Sequence, residues 1–244
     1  EYIFDISNYV ILKDDVKGTD AEILKNTEAK AWYVKSGLQV DSSQLEVRSN
    51  GGYKAEVGDY TVKVSVKGAT NEKDVVSATA KVVNGHVIEE GNEYTLVASN
   101  LVMSVDEVNA LANNDELIGL SKAQAWKVTD LSAADVKLDS TTLEAKVGTY
   151  EAVFSVKDES ATKVTTKIQV IDKDIIERGD NYTIGANNIV MTVDEAKAIA
   201  DNKELITLSD AQAIKQKDMS AGKVNLDSTT FKAEAGTYEA VLSV

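Results

Sequence analysis

The chain is predicted to be all-β, a tandem array of β-sandwich units, and three observations carry that expectation. Residues 94–156 and 182–244 repeat one another at an offset of 88 with no gap, and 39 of the 63 positions are identical. A fixed period this long means one folded unit used repeatedly. Within each copy, short stretches alternate apolar and polar residues one by one, as half-buried strands do. Gly, Asn, Asp and Ser punctuate those stretches at turn spacing, the pattern of a sandwich of short strands.

A fainter copy opens the chain. Tyr2, Asn8, Val10 and Asp14 match Tyr94, Asn100, Val102 and Asp106 in order, and Ala31-Trp32 matches Ala125-Trp126. The chain is therefore divided into 1–84, 85–172 and 173–244, the first divergent and the third short of a final strand. Units of this size can hold a core of their own, at the small end of the domain range. The start at Glu1 without Met suggests a piece of a longer or processed polypeptide. In that case the parent supplies the missing strand, or another chain donates it.

The clearest strand has Tyr150, Ala152, Phe154 and Val156 on one face against Glu151, Val153, Ser155 and Lys157. Tyr60, Val62, Val64 and Val66 repeat it in the first unit; Tyr238, Ala240, Leu242 and Val244 repeat it in the third. A last strand follows twice, as Val76, Ala78, Ala80, Val82 and as Val164, Thr166, Ile168, Val170. One short helix per unit interrupts the strands. Ser104 with Glu107, and Thr192 with Glu195, have capping-box spacing. Val105, Val108, Leu111 and Ala112 then share a helical face, as do Val193, Ala196, Ile199 and Ala200. The first unit has only a weak version around Asp14–Ile23 with Gly18 inside it, so a loop or one turn is expected there.

Each unit also has Gly-x-Tyr at the head of its longest strand: Gly58 to Tyr60, Gly148 to Tyr150, Gly236 to Tyr238. A Tyr placed this way resembles the tyrosine corner of immunoglobulin-like sandwiches, its hydroxyl bonded to nearby backbone. The fold class is thus all-β, tandem immunoglobulin-like β-sandwiches, each with a short helix insertion that is weak in the first.

Composition narrows the function. The formal charge of −14 divides as −2, −8 and −4 over the three units, and Arg48 and Arg178 are the only arginines. Phosphate backbones need clustered Lys and Arg, so neither nucleic acid nor an anionic membrane surface is expected as a partner. No apolar run reaches membrane-spanning length, so no membrane insertion is expected. Without cysteine there is neither a disulfide framework nor thiol chemistry. The one histidine, His86, lies in an inferred junction, no Ser has the surroundings of a nucleophile elbow, and no enzyme is expected. A Lys–Asn isopeptide bond is also unsupported: residues 94–98 hold no Lys and 164–171 no Asn.

The order of Ala-x-Asn-x-Val-x-Met, Val-Asp-Glu, Glu-Leu-Ile, Ala-x-Ala, Leu-Asp-Ser and Gly-Thr-Tyr resembles bacterial immunoglobulin-like repeats of Gram-positive cell-surface adhesins, the LapB-like type. It covers the second and third units nearly throughout and the first more weakly. The resemblance implies an extracellular, cell-wall-attached protein, anchored through a part of the parent not present in this chain. It implies repeats that act as stalk, adhesive surface or both. The partner would be a host or neighbouring-cell surface protein or glycan, and the chain a monomeric extended rod.

Two sets of candidate site residues remain. Tandem sandwiches can be stiffened by Ca²⁺ at their junctions, where hard cations want several oxygen ligands. The donors would be Glu89, Glu90, Asn92 and Glu93 at the first junction, and Asp172, Asp174, Glu177 and Asp180 at the second. Solvated linker acids are the plainer reading, and no other cofactor is expected. Trp32 and Trp126 occupy matching places and could stack on sugar rings, but Ile214 stands there in the third unit, which favours an apolar core position. The leading expectation is a non-catalytic stalk or adhesion segment. A receptor- or glycan-binding module, and accessory domains of a secreted polysaccharide-acting enzyme, are the alternatives. With no proline in the chain, any stiffness must come from contacts between units or from ions.

Overall fold

Strand outweighs helix by 42% to 16%, most of it in antiparallel sheets, so the β-rich class follows from the alternation as expected. The computed structural model describes residues 1–159 and 161–244. They form two compact units: Glu1–Ala98 with Ala123–Lys137 and Ser155–Val164, and Ser99–Lys122 with Leu138–Phe154 and Thr165–Val244. The first unit takes all of repeat one and part of the middle repeat. The second takes the remainder.

Repeat one runs β1 (Tyr2–Asp5), β2 (Tyr9–Leu12), α1 (Asp20–Asn26), β3 (Lys30–Tyr33), β4 (Leu45–Ser49), β5 (Gly58–Val66) and β6 (Val75–Val83). β1 and β3 form a small antiparallel sheet; the other strands are ordered β2-β6-β5-β4. β2 joins β6 in parallel, from Tyr9 opposite Ala80 to Leu12 opposite Val83, a pairing that alternation does not reveal. Val62, Val64, Val66, Ala78, Ala80 and Val82 are buried, as the strand pattern required.

The helix of repeat one corrects the sequence reading. A single 3-10 turn at Lys13–Asp15 stands where a loop or turn was expected, but a full helix, α1, follows it. Gly18 is not inside the helix. It precedes the Thr19 cap at φ +70°, a conformation glycine adopts at little cost. Thr19 Oγ1 then accepts the Glu22 amide at 3.2 Å, and Ile23 inserts completely into the core.

Beneath this helix lies a feature of repeat one alone. The Tyr9 and Tyr53 rings meet edge-on at 6.3 Å, and neither buried hydroxyl has a hydrogen-bond partner among the described residues. Burial pushes both phenols above the usual tyrosine range; the neighbouring Tyr9 hydroxyl and then the Glu22 charge raise Tyr53 further. A raised folded-state pKa gives stability that is whole below the unfolded value of about 10 and is lost as pH rises toward the folded value. Melting temperature should therefore fall above about pH 10, and Tyr53→Phe should flatten that fall. At neutral pH the same change should cost little, because the hydroxyl it removes is buried without a well-formed hydrogen bond. An unchanged alkaline slope in the variant would refute this.

The middle repeat runs β7 (Val87–Glu90), β8 (Tyr94–Ala98), β9 (Leu101–Ser104), α2 (Val105–Ala110), α3 (Glu116–Leu120), β10 (Gln124–Lys127), β11 (Ala133–Ala134), β12 (Val136–Thr141), β13 (Gly148–Val156) and β14 (Lys163–Ile171). In the first unit, β11-β10-β8-β7 make one antiparallel sheet. The other sheet is ordered β12-β13-β14-β9, and β9 joins β14 in parallel just as β2 joins β6. The third repeat has β15 (Ile175–Arg178), β16 (Tyr182–Ala186), α4 (Val193–Ala198), α5 (Glu204–Leu208), β17 (Gln212–Lys215), β18 (Ala221–Gly222), β19 (Asn225–Thr229) and β20 (Ala240–Ser243). Its sheets are β15-β16-β17-β18 and the pair β19-β20.

Both expected capping boxes form, Ser104 with Glu107 and Thr192 with Glu195. The apolar faces drawn from them do not bury as expected. α2 stops at Ala110 and buries no side chain, and α4 buries only Ala196. The anchors are on second helices that the sequence reading missed, Leu117 on α3 and Leu205 on α5. Each lies on a helix that ends in one left-handed residue: Lys122 (φ 48°) after α3, Asp210 (φ 47°) after α5, and likewise Glu28 (φ 49°) after α1. α1 is thus the counterpart of α3 and α5. What repeat one lacks is the capping-box helix.

The tyrosine corners are present in all three copies. Tyr60 Oη donates to Glu56 O at 2.9 Å, Tyr150 Oη to Lys146 O at 3.0 Å and Tyr238 Oη to Glu234 O at 3.3 Å. The preceding glycine gives the hydroxyl room: a Cβ on Gly148 would lie 3.1 Å from Tyr150 Oη. One strand expectation fails. Of Tyr238, Ala240, Leu242 and Val244 none is fully buried; among the described residues β20 pairs with β19 alone.

Candidate functional site: the joints between repeats

The constellation built twice from matching residues is a joint. In the first unit, Val10 and Leu12 of β2 and Val83 of β6 cluster with Val97 of β8 and Trp126 of β10, and Ile88 and Leu131 pack on them. In the second unit, Val102 of β9 and Ile171 of β14 cluster with Ile214 of β17, joined by Ile176 and Met219. The five pairs Val10/Val102, Val83/Ile171, Ile88/Ile176, Trp126/Ile214 and Leu131/Met219 are equivalent in the repeat. An edge made by two parallel strands of one repeat is seated on the outer face of the next repeat's sheet.

An asparagine fastens each joint. Asn100 Oδ1 accepts the Lys167 amide on β14 at 2.8 Å, and its Nδ2 donates to Gln216 O and Lys217 O, both at 3.0 Å. Asn8 Oδ1 accepts the Thr79 amide on β6 at 2.8 Å, and its Nδ2 donates to Thr129 O at 2.9 Å. Thr129 and Lys217 are equivalent positions on equivalent turns. Each amide thus satisfies its own sheet edge with one end and holds the following repeat with the other.

The turns it holds are strained. Leu131 at φ 57° and Met219 at φ 62° take the left-handed conformation, which costs a side-chain-bearing residue roughly 1–2 kcal/mol. In repeat one the equivalent residue is Gly37, in the same conformation and with the same backbone bonds. Side chains are retained at the strained position in the two turns that enter a joint, because Leu131 and Met219 fill it. At the tips of these turns, hydrogen bonds from the Ser132 and Ser220 hydroxyls and amides hold Asp130 and Asp218 below the usual carboxylate range.

The two tryptophans have different surroundings. Trp126 is 8% exposed inside the first joint, with Lys81 Nζ 5.9 Å from its ring centroid. Trp32, on the equivalent strand β3, is half-buried beside Ile3, which is 59% exposed. The proposed calcium donors are not brought together. Glu89, Glu90, Asn92, Asp172, Asp174, Glu177 and Asp180 are all exposed, and among the described residues no three or more acidic or histidine side chains converge on one point. Asp174 is occupied locally, accepting the Asn188 amide at 2.9 Å. A shallow groove of about 410 Å³ lies beside Asp172, Lys173, Asn187 and Asp210.

No family model matches this sequence, and no curated protein does. Among solved structures the chain is similar to one from Clostridium perfringens ZmpB, comprising the M60 catalytic domain with the CBM51-1 and CBM51-2 domains. The identity is 10% and the TM-score 0.23, over 78% of this chain. The chain spans about a third, 34%, of the length of that one.

The sequence reading passed over the asparagine. Asn8 and Asn100 were visible as matched residues, and a polar side chain retained amid apolar neighbours was the signal available. The partner turn was not visible, since it lies 121 residues from Asn8 and 116 from Asn100.

Proposed function

We propose that this chain is a non-catalytic stalk or adhesion segment of a bacterial cell-surface protein, built from immunoglobulin-like repeats of the Gram-positive adhesin type. One observation carries the reading: the same joint, with the same asparagine and the same five apolar positions, is made twice. A linker that only tethers has no need of a buried two-ended hydrogen bond or of a strained turn to complete it. A segment that transmits position or load needs both.

A receptor- or glycan-binding module is the second reading, and it too has an observation in its favour. Ile3, Val34 and Leu38 are exposed around Trp32 in repeat one, an apolar surface that the other repeats do not present in that place. The two readings separate in one pair of measurements. Pulled by its ends, the chain is expected to yield in separate steps, and a screen of glycans and cell surfaces should return no binding that depends on Trp32. Saturable binding abolished by Trp32→Ala would transfer the assignment to the second reading.

A further inference from the structure

The two joints share a plan but are filled differently, and the differences are matched across each joint. In the first, Val83, Gly85 and Val97 meet, and a Cβ on Gly85 would lie 2.3 Å from Val97 Cγ1. In the second, the equivalent residues are Ile171, Lys173 and Gly185, and the crowding is reversed. A Cβ on Gly185 would lie 2.7 Å from Ile171 Cδ1 and 2.9 Å from Lys173 Cγ. The valine branch of one joint is replaced in the other by a longer strand residue and a lysine stem. That stem is 6% exposed, and its amine pairs with Asp210.

Charge is matched as well. Arg178 donates to Val102 O at 2.9 Å and to both oxygens of Glu107, the nearer at 2.6 Å. At the corresponding positions of the first joint stand Glu90 and Asp15, two acids. The middle repeat could not follow a copy of itself without placing Ile171 against Val97 and Glu107 against Glu90.

Resting on the reading of this chain as jointed repeats, we infer that residues 83, 85 and 97, and their counterparts 171, 173 and 185, are a matching set. Through it the last strand of a repeat accepts one particular successor and rejects others. The order of repeats is then written into the joints, by fit to the correct neighbour and by clash or like charge against the wrong one. The partner this surface fits is another repeat of the same type, carrying the complementary small or large residue.

The test uses the full chain, with amide exchange read at Lys215 and Met219 in the second joint and at Lys127 and Leu131 in the first. Gly185→Val alone should speed exchange at the second pair by about tenfold or more and leave the first pair unchanged. Transplanting the whole set, with Ile171→Val and Lys173→Gly added, should return the rates to within about threefold of the parent. If the single variant exchanges like the parent, the inference falls; it falls equally if the triple is no better than the single. Should the single variant fail to fold, recovery or failure of the triple decides. Asn100→Ala separates this from the underlying reading: its silence at Lys215 and Met219 would remove the joint itself, whereas acceleration there beside a failed transplant removes only the matching.

Discussion

Replacing Asn100 with alanine should cost about 2–4 kcal/mol, since each buried group deprived of its partner costs roughly 1–3 kcal/mol. The residue is 6% exposed and serves groups on two sides: the Lys167 amide at one end, the Gln216 and Lys217 carbonyls at the other. Asn100→Asp should be worse than Asn100→Ala. It keeps an acceptor for Lys167 but turns a carboxylate oxygen toward two carbonyl oxygens. Asn8→Ala should be milder, because Asn8 is only half-buried and meets a single carbonyl across its joint. Thermal melting of the three variants, with amide exchange at Lys167, would check the ranking. An Asn100→Ala chain that melts and exchanges like the parent would show that the asparagine is a bystander.

The second large effect is expected at Leu117. α3 has five residues, far below the length at which a helix persists alone in water, so its position depends on the side chain it buries. Leu117 is 0% exposed, and Leu117→Ala should cost about 2–5 kcal/mol through lost burial and the cavity left behind. Val108→Ala on α2 should cost less than about 1 kcal/mol, because that helix buries no side chain. Comparable losses for the two changes would restore the face predicted from the capping box.

That contrast shows how far local sequence reaches. Ser104-x-x-Glu107 is a signal contained in four residues, satisfied by hydrogen bonds within the same four, so the helix start was legible. Which helical residues enter the core was not, since burial depends on what lies opposite. The joint had the same fate. Its residues were recognisable as repeated, but Trp126 was readable only as apolar, and that it meets the preceding repeat is a contact over more than a hundred positions.

The clearest division lies between two nearly identical stretches. Asn100-Leu101-Val102-Met103 and Asn188-Ile189-Val190-Met191 differ by one conservative change. The first forms β9 in parallel with β14, and Val102 is 2% exposed. The second forms no strand, and Val190 is 97% exposed. By itself the sequence determined the period, the alternation, the helix caps and the tyrosine corners, all of which are satisfied within a few residues or by one neighbouring strand. Whether an apolar stretch becomes a buried strand was decided by tertiary structure, because its backbone needs a partner edge, which β14 gives to the first stretch.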